Sequence, residues 1–301
     1  MKKWFISLLI LALLFFAGVY IFIPRTLELS AIAYTNCTPA AAYRLISDET
    51  QWNKWWPADN AAGSFRITKK IYNGIEINIQ SGGMQTGSTL HLVPLPADSL
   101  VLQWQCSLPG GNNPFTKLVQ YNKAVALKKN MSARLGQLAA FLNDKKNVYG
   151  YSIQRTSTID TLLVASRSIL PAYPLTPDVY RLVDTLKKYI AAQGAKQTGP
   201  PIMNITQMGN HVFQLMVALP TDRALTGNKD IFFRKMVPGA FMVADVQGGD
   251  YSVVHALRQM HLYFEDYKRT SMAIPFAALI TDRIQEPDST RWITRIYAPV
   301  Y

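Results

Sequence analysis

Gly248-Gly249-Asp250-Tyr251 marks the start of a predicted helix, and Thr176-Pro177-Asp178 marks the start of an equivalent helix earlier in the chain. Both starts precede a stripe of apolar residues spaced by three or four, which is typical of a helix packed on one face. A strand is predicted before each helix, at 157–169 and 241–246. Two further short strands follow each helix, so one order occurs twice, offset by roughly 70 to 80 residues. The repeat predicts a pseudo-two-fold α+β domain with a groove between its two copies.

Aromatic residues of this half are candidates for the walls of that groove. The candidates are Phe213, Tyr251, Phe276, Trp292 and Tyr297. An aromatic residue on an alternating strand is also commonly a core residue, so both interpretations remain open for each of them.

Several motifs of this half recur in a known family. They are Thr198-Gly199-Pro200-Pro201, Gly248-Gly249-Asp250-Tyr251, Ile274-Pro275-Phe276 through Thr281-Asp282, and Trp292-Ile293-Thr294-Arg295-Ile296-Tyr297-Ala298-Pro299-Val300. With these motifs, residues 148–301 resemble the GyrI-like domain, the bacterial effector-binding domain of multidrug-sensing regulators. The resemblance implies a site for cationic aromatic drugs, formed by aromatic side chains and one buried glutamate.

The expected glutamate is missing from this sequence. Its position falls at Ala277, give or take one residue, within a segment that contains no acid. The nearest acids, Glu265 and Asp266, are expected to be solvated at the end of the second helix. A desolvated cation needs a counter-charge, so we expect neutral or anionic apolar ligands instead. The hydrolytic activity that such an acid gives some relatives is not expected either.

Residues 27–147 predict a second α+β domain, in which an antiparallel sheet packs on a long final helix. Its motifs are Thr38-Pro39-Ala40-Ala41-Ala42-Tyr43, Trp52-Asn53-Lys54-Trp55-Trp56-Pro57 and Asn113-Pro114-Phe115. They resemble the START-like superfamily (SRPBCC, or polyketide-cyclase-like) with its helix-grip fold. The resemblance implies a cavity for an apolar small molecule. Four tryptophans are candidates either for its lining or for the core: Trp52, Trp55, Trp56 and Trp104.

The first 26 residues predict a transmembrane anchor. Trp4 to Ile23 is apolar except for Ser7 and Gly18, and as a helix it would be roughly 30 Å long, the thickness of a bilayer core. Lys2 and Lys3 precede it and favour a cytoplasmic N-terminus, with the body on the periplasmic or extracellular side. The alternative is a cleaved signal peptide, whose small-residue site would be Ala31-Ile32-Ala33.

Neither the composition nor the motifs of the sequence indicate a catalytic, metal-binding or nucleic-acid-binding function. The net charge of +12 is spread over scattered lysine pairs, so no nucleic-acid partner is expected. The four histidines lack metal-ligand spacing, and no nucleophile elbow, phosphate loop or dinucleotide fingerprint is present. We therefore predict no metal, no cofactor and no catalytic residue. Cys37 and Cys106 either pair or remain buried free thiols.

The sequence thus favours a membrane-anchored, envelope-facing protein that binds or senses an apolar small molecule without committed catalysis. One alternative is a hydrolase or cyclase-type enzyme that uses the START-like cavity. Another is a structural or interaction protein whose cavities are filled by its own side chains. The sequence leaves protein partners unknown.

Overall fold

The computed structural model describes residues 2–56, 64–81, 84–158, 161–236, 238–271 and 273–300. The chain divides into two compact units, Met1–Asp144 and Lys145–Tyr301. Among the described residues, no helix combines the length and the apolar character that crossing a membrane requires.

The first unit is a five-stranded antiparallel sheet with helices on one side, in the order β1-β5-β4-β3-β2. Its elements are α1 (Lys2–Phe22), β1 (Thr26–Thr35), α2 (Pro39–Ile46), a 3-10 helix (Glu49–Lys54), β2 (Ser64–Ile71), β3 (Gly74–Ser81), β4 (Met84–Leu95), β5 (Ser99–Pro109) and α3 (Pro114–Asn143). Asn113 caps α3, since its side chain accepts from the Thr116 amide at 2.8 Å. The C-terminal half of α3 packs on the sheet through Met131, Leu135 and Leu138.

Helix α1 belongs to this unit because its C-terminal end packs on α3. The rings of Phe16 and Phe115 lie 4.8 Å apart. Lys117 is only 3% exposed, and its ammonium group donates to the carbonyl oxygens of Tyr20, at 2.9 Å, and of Ile23. These carbonyls lie at the helix end, where intrahelical donors are lacking and a positive charge is favoured.

The two cysteines of the first unit are buried free thiols, which is one of the two predicted alternatives. Burial raises the pKa of the Cys106 thiol above its ordinary value.

The second unit is built on an eight-stranded antiparallel sheet in the order β10-β7-β9-β8-β12-β13-β11-β6. Its elements are α4 (Lys145–Tyr149), β6 (Gln154–Thr158), β7 (Thr161–Leu170), α5 (Thr176–Ala192), β8 (Ile202–Gly209), β9 (Val212–Thr221), β10 (Ile231–Met236), β11 (Gly239–Gln247), α6 (Asp250–Asp266), β12 (Phe276–Leu279), a 3-10 helix (Ser289–Arg291) and β13 (Ile293–Val300). The predicted repeat is present as β7-α5-β8-β9 and β11-α6-β12-β13.

The predicted single strand 157–169 is wrong, because the structure has two strands there. β6 pairs with β11 and β7 pairs with β10, so the two pieces lie at opposite ends of the strand order. Both ladders keep one register: Thr158 pairs with Gly239, and Thr161 pairs with Met236. Together they form a two-stranded ribbon from one end of the sheet to the other. β10 was not predicted at all.

The two faces of this sheet differ because successive side chains of a strand alternate between them. One face packs against α5 and α6 and carries fully buried residues such as Leu215, Val217 and Ile296. The opposite face, which we call the groove face, carries Ala165, Ala218 and their cross-strand neighbours.

Candidate functional site

A cavity of about 520 Å³ lies on the groove face of the second unit. Strands of both copies and the β10–β11 segment line it. The lining consists of Leu163, Ala165, Ile202, Met203, Asn204, Met216, Ala218, Arg234, Met236, Pro238, Gly239, Ala240, Phe241, Ala273, Ile274, Phe276, Pro299 and Val300. Of these eighteen described residues, Asn204 and Arg234 alone have a polar side chain. Its size and apolar lining are those of a small-molecule site.

Small side chains make the space. Ala165 and Ala218 pair across β7 and β9, and Gly239 begins β11 on the other side of the cavity. Leu163, Ala165 and Ala218 form a buried cluster, against which Ile202, Phe232 and Met236 pack. Larger residues at these central positions would fill the cavity, so it depends on alanine and glycine.

Two aromatic rings, Phe241 and Phe276, line one wall of the cavity, and the Tyr297 ring packs against both of them. Phe276 stacks on Tyr297, with ring centroids 4.8 Å apart and planes 10° apart. Phe241 meets Phe276 edge-on at 5.8 Å and Tyr297 at 6.0 Å. Such offset and edge-to-face pairs are favourable beyond the area they bury, so the rings form a rigid wall.

An ion pair lies on the same face, two positions along β11 and β13 from Val243 and Tyr297. The Arg295 guanidinium donates to both carboxylate oxygens of Asp245, at 2.6 and 2.9 Å. This hydrogen bonding lowers the pKa of Asp245 and raises that of Arg295. The one acid on this stretch of the groove face therefore already has a counter-charge.

The predicted groove residues are only partly brought together. Phe276 lines the cavity and Tyr297 stacks on it. Tyr251 is 85% exposed at the start of α6, and Phe213 packs against Tyr173 at 5.7 Å. Trp292 lies beside the loop before β13, where its indole donates to the Glu286 carbonyl at 2.7 Å. Tyr297, Tyr251, Phe213 and Trp292 are therefore all outside the cavity lining, and Phe276 is the one predicted residue within it.

Trp292 instead covers a buried arginine. The Arg283 guanidinium lies 4.5 Å from the centroid of the Trp292 ring and donates to Asp250 at 2.8 Å and Thr294 at 3.1 Å. The Arg283 side chain is 2% exposed. This network ties the loop before β13 to the start of α6, so the role of Trp292 is structural.

Ala277, the position predicted to within one residue for the missing glutamate, does not face the groove. Ala277 pairs with Met203 and Ile296, so its side chain is on the helix-packed face. The groove face of β12 carries Phe276 and Ala278 instead, and neither is an acid. Of the two nearby acids, Glu265 is exposed and beside His261, whereas Asp266 accepts from the Tyr149 hydroxyl at 2.7 Å and is less solvated than expected.

The four tryptophans predicted for the first unit do lie together, but they leave no open space. Trp52 is fully buried and stacks on Phe65 with centroids 4.2 Å apart. Trp55 and Trp56 contact Trp52 at 4.7 and 5.5 Å, and Trp104 lies 6.0 Å from Trp56. The space among them and Ile77, Leu90, Arg134, Leu135 and Leu138 has a volume near 0 Å³ for a water-sized sphere. We call these four residues the tryptophan cluster.

The four tryptophans of the cluster differ in whether their indole N–H groups are hydrogen-bonded. The Trp52 indole donates to the Ile46 carbonyl at 2.9 Å, and the Trp104 indole donates to the Ser88 hydroxyl at 3.0 Å. The buried indole nitrogens of Trp55 and Trp56 have no acceptor among the described residues. Among the described residues, two buried polar groups of the tryptophan cluster thus lack a partner, a cost that dense packing must offset.

Sequence reasoning missed several residues that define the cavity. The predicted residues were aromatic, whereas the central features of the cavity are the alanines at 165 and 218, the methionines and Arg234. Arg234 lies on β10, the strand that was not predicted. In the described parts of the chain, no group of histidine, cysteine and acidic residues could hold a metal ion.

Comparisons with known proteins give distant structural likenesses only. No family model matches the chain, and no curated protein matches it. The crystal structure of the EcmrR C-terminal domain is similar over 50% of this chain and 98% of its own, with 15% identity and a TM-score of 0.45. A hydrolase from Listeria innocua covers 50% and 91% at 10% identity and a TM-score of 0.39. SAV2435 bound to tetraphenylphosphonium covers 50% and 93% at 16% identity and a TM-score of 0.34. Likenesses at these TM-scores carry no information on function.

Proposed function

We propose that this protein binds an apolar small molecule in the groove of its second unit. The observation that carries the proposal is the cavity of about 520 Å³, with sixteen of its eighteen lining residues apolar. Ligand sites of this kind combine an apolar wall with few, well-placed polar groups. The repeated strand–helix–strand–strand order and the motifs of residues 198–201, 248–251 and 292–300 support a GyrI-like fold for this unit.

The first unit has a different role in this proposal. Its tryptophan cluster fills the space in which a START-like domain would bind a ligand, which favours a structural role there. The alternative of a hydrolase or cyclase that uses this space has no open volume to use. The START-like likeness of this unit stays a prediction.

We also propose that the N-terminal segment, which includes α1, anchors the protein in a membrane with the body on the outer side, although the described part of α1 does not by itself meet the requirement for crossing. The support is the apolar run Trp4–Ile23, preceded by Lys2 and Lys3, and the exposure of side chains such as Trp4 and Phe22, both at 85%. Lys117 favours an uncleaved helix, because loss of α1 would remove the acceptors of a buried ammonium group. Alkaline phosphatase fused after Tyr301 should be active; an inactive fusion beside a fluorescent cytoplasmic reporter would contradict this topology.

Methionine methyl NMR provides a site-specific test of ligand binding. The full chain, labelled at its methionine methyl groups, is titrated with phenylnaphthylamine, a neutral aromatic probe. We expect the resonances of Met216 and Met236 to shift, because these residues line the cavity from the groove face. The resonance of Met131, buried in the first unit, should not move.

A filled variant gives the control. Ala218→Phe places a ring in the cavity and should abolish the shifts, whereas Ala192→Phe, at an exposed position of α5, should leave them intact. Equal shifts in Met131, or undiminished binding by the Ala218→Phe variant, would show that the probe does not bind in the groove.

A further inference from the structure

We infer that the groove selects an apolar anion, whose carboxylate or sulfonate group binds the guanidinium of Arg234. This inference rests on the proposed function and adds the chemical class of the ligand. The juxtaposition that carries it is the exposed guanidinium of Arg234, which has no acidic partner among the described residues, beside a cavity whose other lining residues are Asn204 and apolar residues.

Arg234 is held in the cavity wall by its own strand. It lies opposite Leu163 in the β7–β10 ladder, between Phe232 and Met236 on the same face. Its guanidinium lies 4.6 Å from the Phe232 ring centroid and donates one hydrogen bond, to the Phe233 carbonyl at 3.3 Å. Stacking on Phe232 fixes the plane of the guanidinium and leaves most of its five donors available.

No acid neutralises Arg234 in the described part of the chain. Arg234 takes part in none of the ion pairs between described residues, and the described cavity lining includes neither aspartate nor glutamate. Asp245, on the same sheet face, is occupied in its bidentate pair with Arg295. The cavity wall is therefore positively charged, and an anionic ligand would supply the missing partner.

The geometry of a guanidinium suits a planar or tetrahedral oxyanion. Two parallel N–H groups can donate to two oxygens of one carboxylate or sulfonate, and such charge-assisted pairs are stronger than neutral ones. Asn204 is the second polar residue of the wall. Its amide nitrogen donates to the Pro275 carbonyl at 2.9 Å, and one N–H remains for a ligand oxygen. The remaining lining residues contact the apolar body.

A cation has no equivalent site in this groove. Its positive charge would face Arg234 without a carboxylate to offset desolvation. The Phe276 ring is stacked on Tyr297, so one of its two faces is already covered. The cavity wall thus favours anionic over cationic ligands, whereas a site that contains a glutamate favours cations.

Two probes with one aromatic skeleton test this inference. Anilinonaphthalene sulfonate carries a sulfonate group, and phenylnaphthylamine has the same rings without it. The full chain is titrated with each, and affinity is read from the Met216 and Met236 methyl shifts. We expect Arg234→Gln to weaken sulfonate binding about ten-fold or more while phenylnaphthylamine binding stays unchanged.

Matched variants separate this site from general electrostatics. Arg258→Gln removes the same charge from an exposed position of α6 and should leave both affinities unchanged. Arg234→Lys keeps the charge without the two-pronged donor geometry and should give an intermediate sulfonate affinity. Asn204→Asp introduces a carboxylate into the wall and should weaken sulfonate binding selectively.

The outcomes distinguish the inference from the proposed function. Undiminished sulfonate binding by Arg234→Gln, with phenylnaphthylamine still bound, would overturn anion recognition and leave the ligand site intact. Equal losses in Arg234→Gln and Arg258→Gln would also overturn it, because net charge alone would then explain the effect. Methyl shifts absent with both probes in the unaltered protein would instead refute the proposed function itself.

Discussion

The tryptophan cluster of the first unit and the groove of the second unit differ in side-chain volume. Both lie on one face of an antiparallel sheet and both are almost wholly apolar. Four indoles leave a volume near 0 Å³ in the first, whereas alanine, glycine and methionine leave about 520 Å³ in the second. The sizes of the inward-facing side chains therefore decide whether such a region is a filled core or an open site in this protein.

The largest expected effect comes from opening the filled region. Trp52→Ala removes a fully buried ring and should destabilise the first unit by about 3–5 kcal/mol, through lost burial and the cavity left behind. Phe276→Ala removes a ring from a wall that already borders open space and should cost less than half as much. Urea denaturation followed by circular dichroism gives both values.

The Trp52→Ala variant also tests whether volume alone separates the two regions. If it folds, phenylnaphthylamine should now shift the Met131 resonance, since Met131 belongs to the core of the same unit. A loss below about 1 kcal/mol, or a loss equal to that of Phe276→Ala, would contradict the packed interpretation of the tryptophan cluster.

A smaller effect distinguishes the paired from the unpaired indoles. Trp104→Phe removes the donor to Ser88, whose hydroxyl in turn donates to the Ile77 carbonyl at 3.2 Å. Trp56→Phe removes an N–H that lacks an acceptor among the described residues. We expect Trp104→Phe to cost about 1 kcal/mol more, because only there is a hydrogen bond lost.

Ser88→Ala serves as the partner in a double-mutant cycle. Once Ser88 is replaced, the difference between the Trp104→Phe and Trp56→Phe variants should shrink to a few tenths of a kcal/mol. A difference that persists in the Ser88→Ala background would assign it to ring size instead of hydrogen bonding.

The smallest expected effect concerns the ion pair on the groove face, which has no counterpart in the tryptophan cluster. Asp245 and Arg295 are 53% and 42% exposed, so solvent screens them and Asp245→Asn should cost about 0.5–1 kcal/mol at pH 7. The pKa of Asp245 is lowered in the folded state, chiefly by the hydrogen bond from Arg295. The contribution is therefore complete above the unfolded pKa, about 3.9, and is lost as the pH falls through the folded value.

Thermal unfolding from pH 7 down to pH 2 measures this dependence. The stabilities of the native protein and the Asp245→Asn variant should converge at the acidic end. A constant gap over the whole range would attribute the cost to altered packing and not to charge.

Most helices and strands of both units could be predicted for one physical reason, which is that the spacing of apolar residues along an amphipathic element is visible in the sequence itself. The stripes at Val179–Ile190 and Leu135–Leu142 and the repeat around Thr176 and Asp250 are local patterns. The break between β6 and β7 was missed, because both pieces have strand propensity and only tertiary pairing separates them. β10, with sequence Ile-Phe-Phe-Arg-Lys-Met, lacks an alternating pattern and was missed for the opposite reason.

The site was harder to predict than the fold. Aromatic residues predict a ligand site, yet Tyr251 is exposed, Trp292 packs on Arg283, and the tryptophans at 52, 55, 56 and 104 pack on one another. A cavity is produced by the absence of side-chain volume, so Ala165 and Ala218 gave no positive signal. The importance of Arg234 depends on its facing the apolar wall, which requires knowledge of β10.

The ribbon of β6–β7 and β10–β11 also affects how the second unit meets other chains. Because the ribbon crosses from one end of the sheet to the other, its edge strands are the short segments β10 and β6, of six and five residues. These edges carry Arg234, Lys235 and Arg155, and charged, short edge strands are poor templates for an incoming strand. The eight-stranded sheet is thus protected against β-strand addition and edge-to-edge aggregation, although its groove face stays accessible to a small ligand.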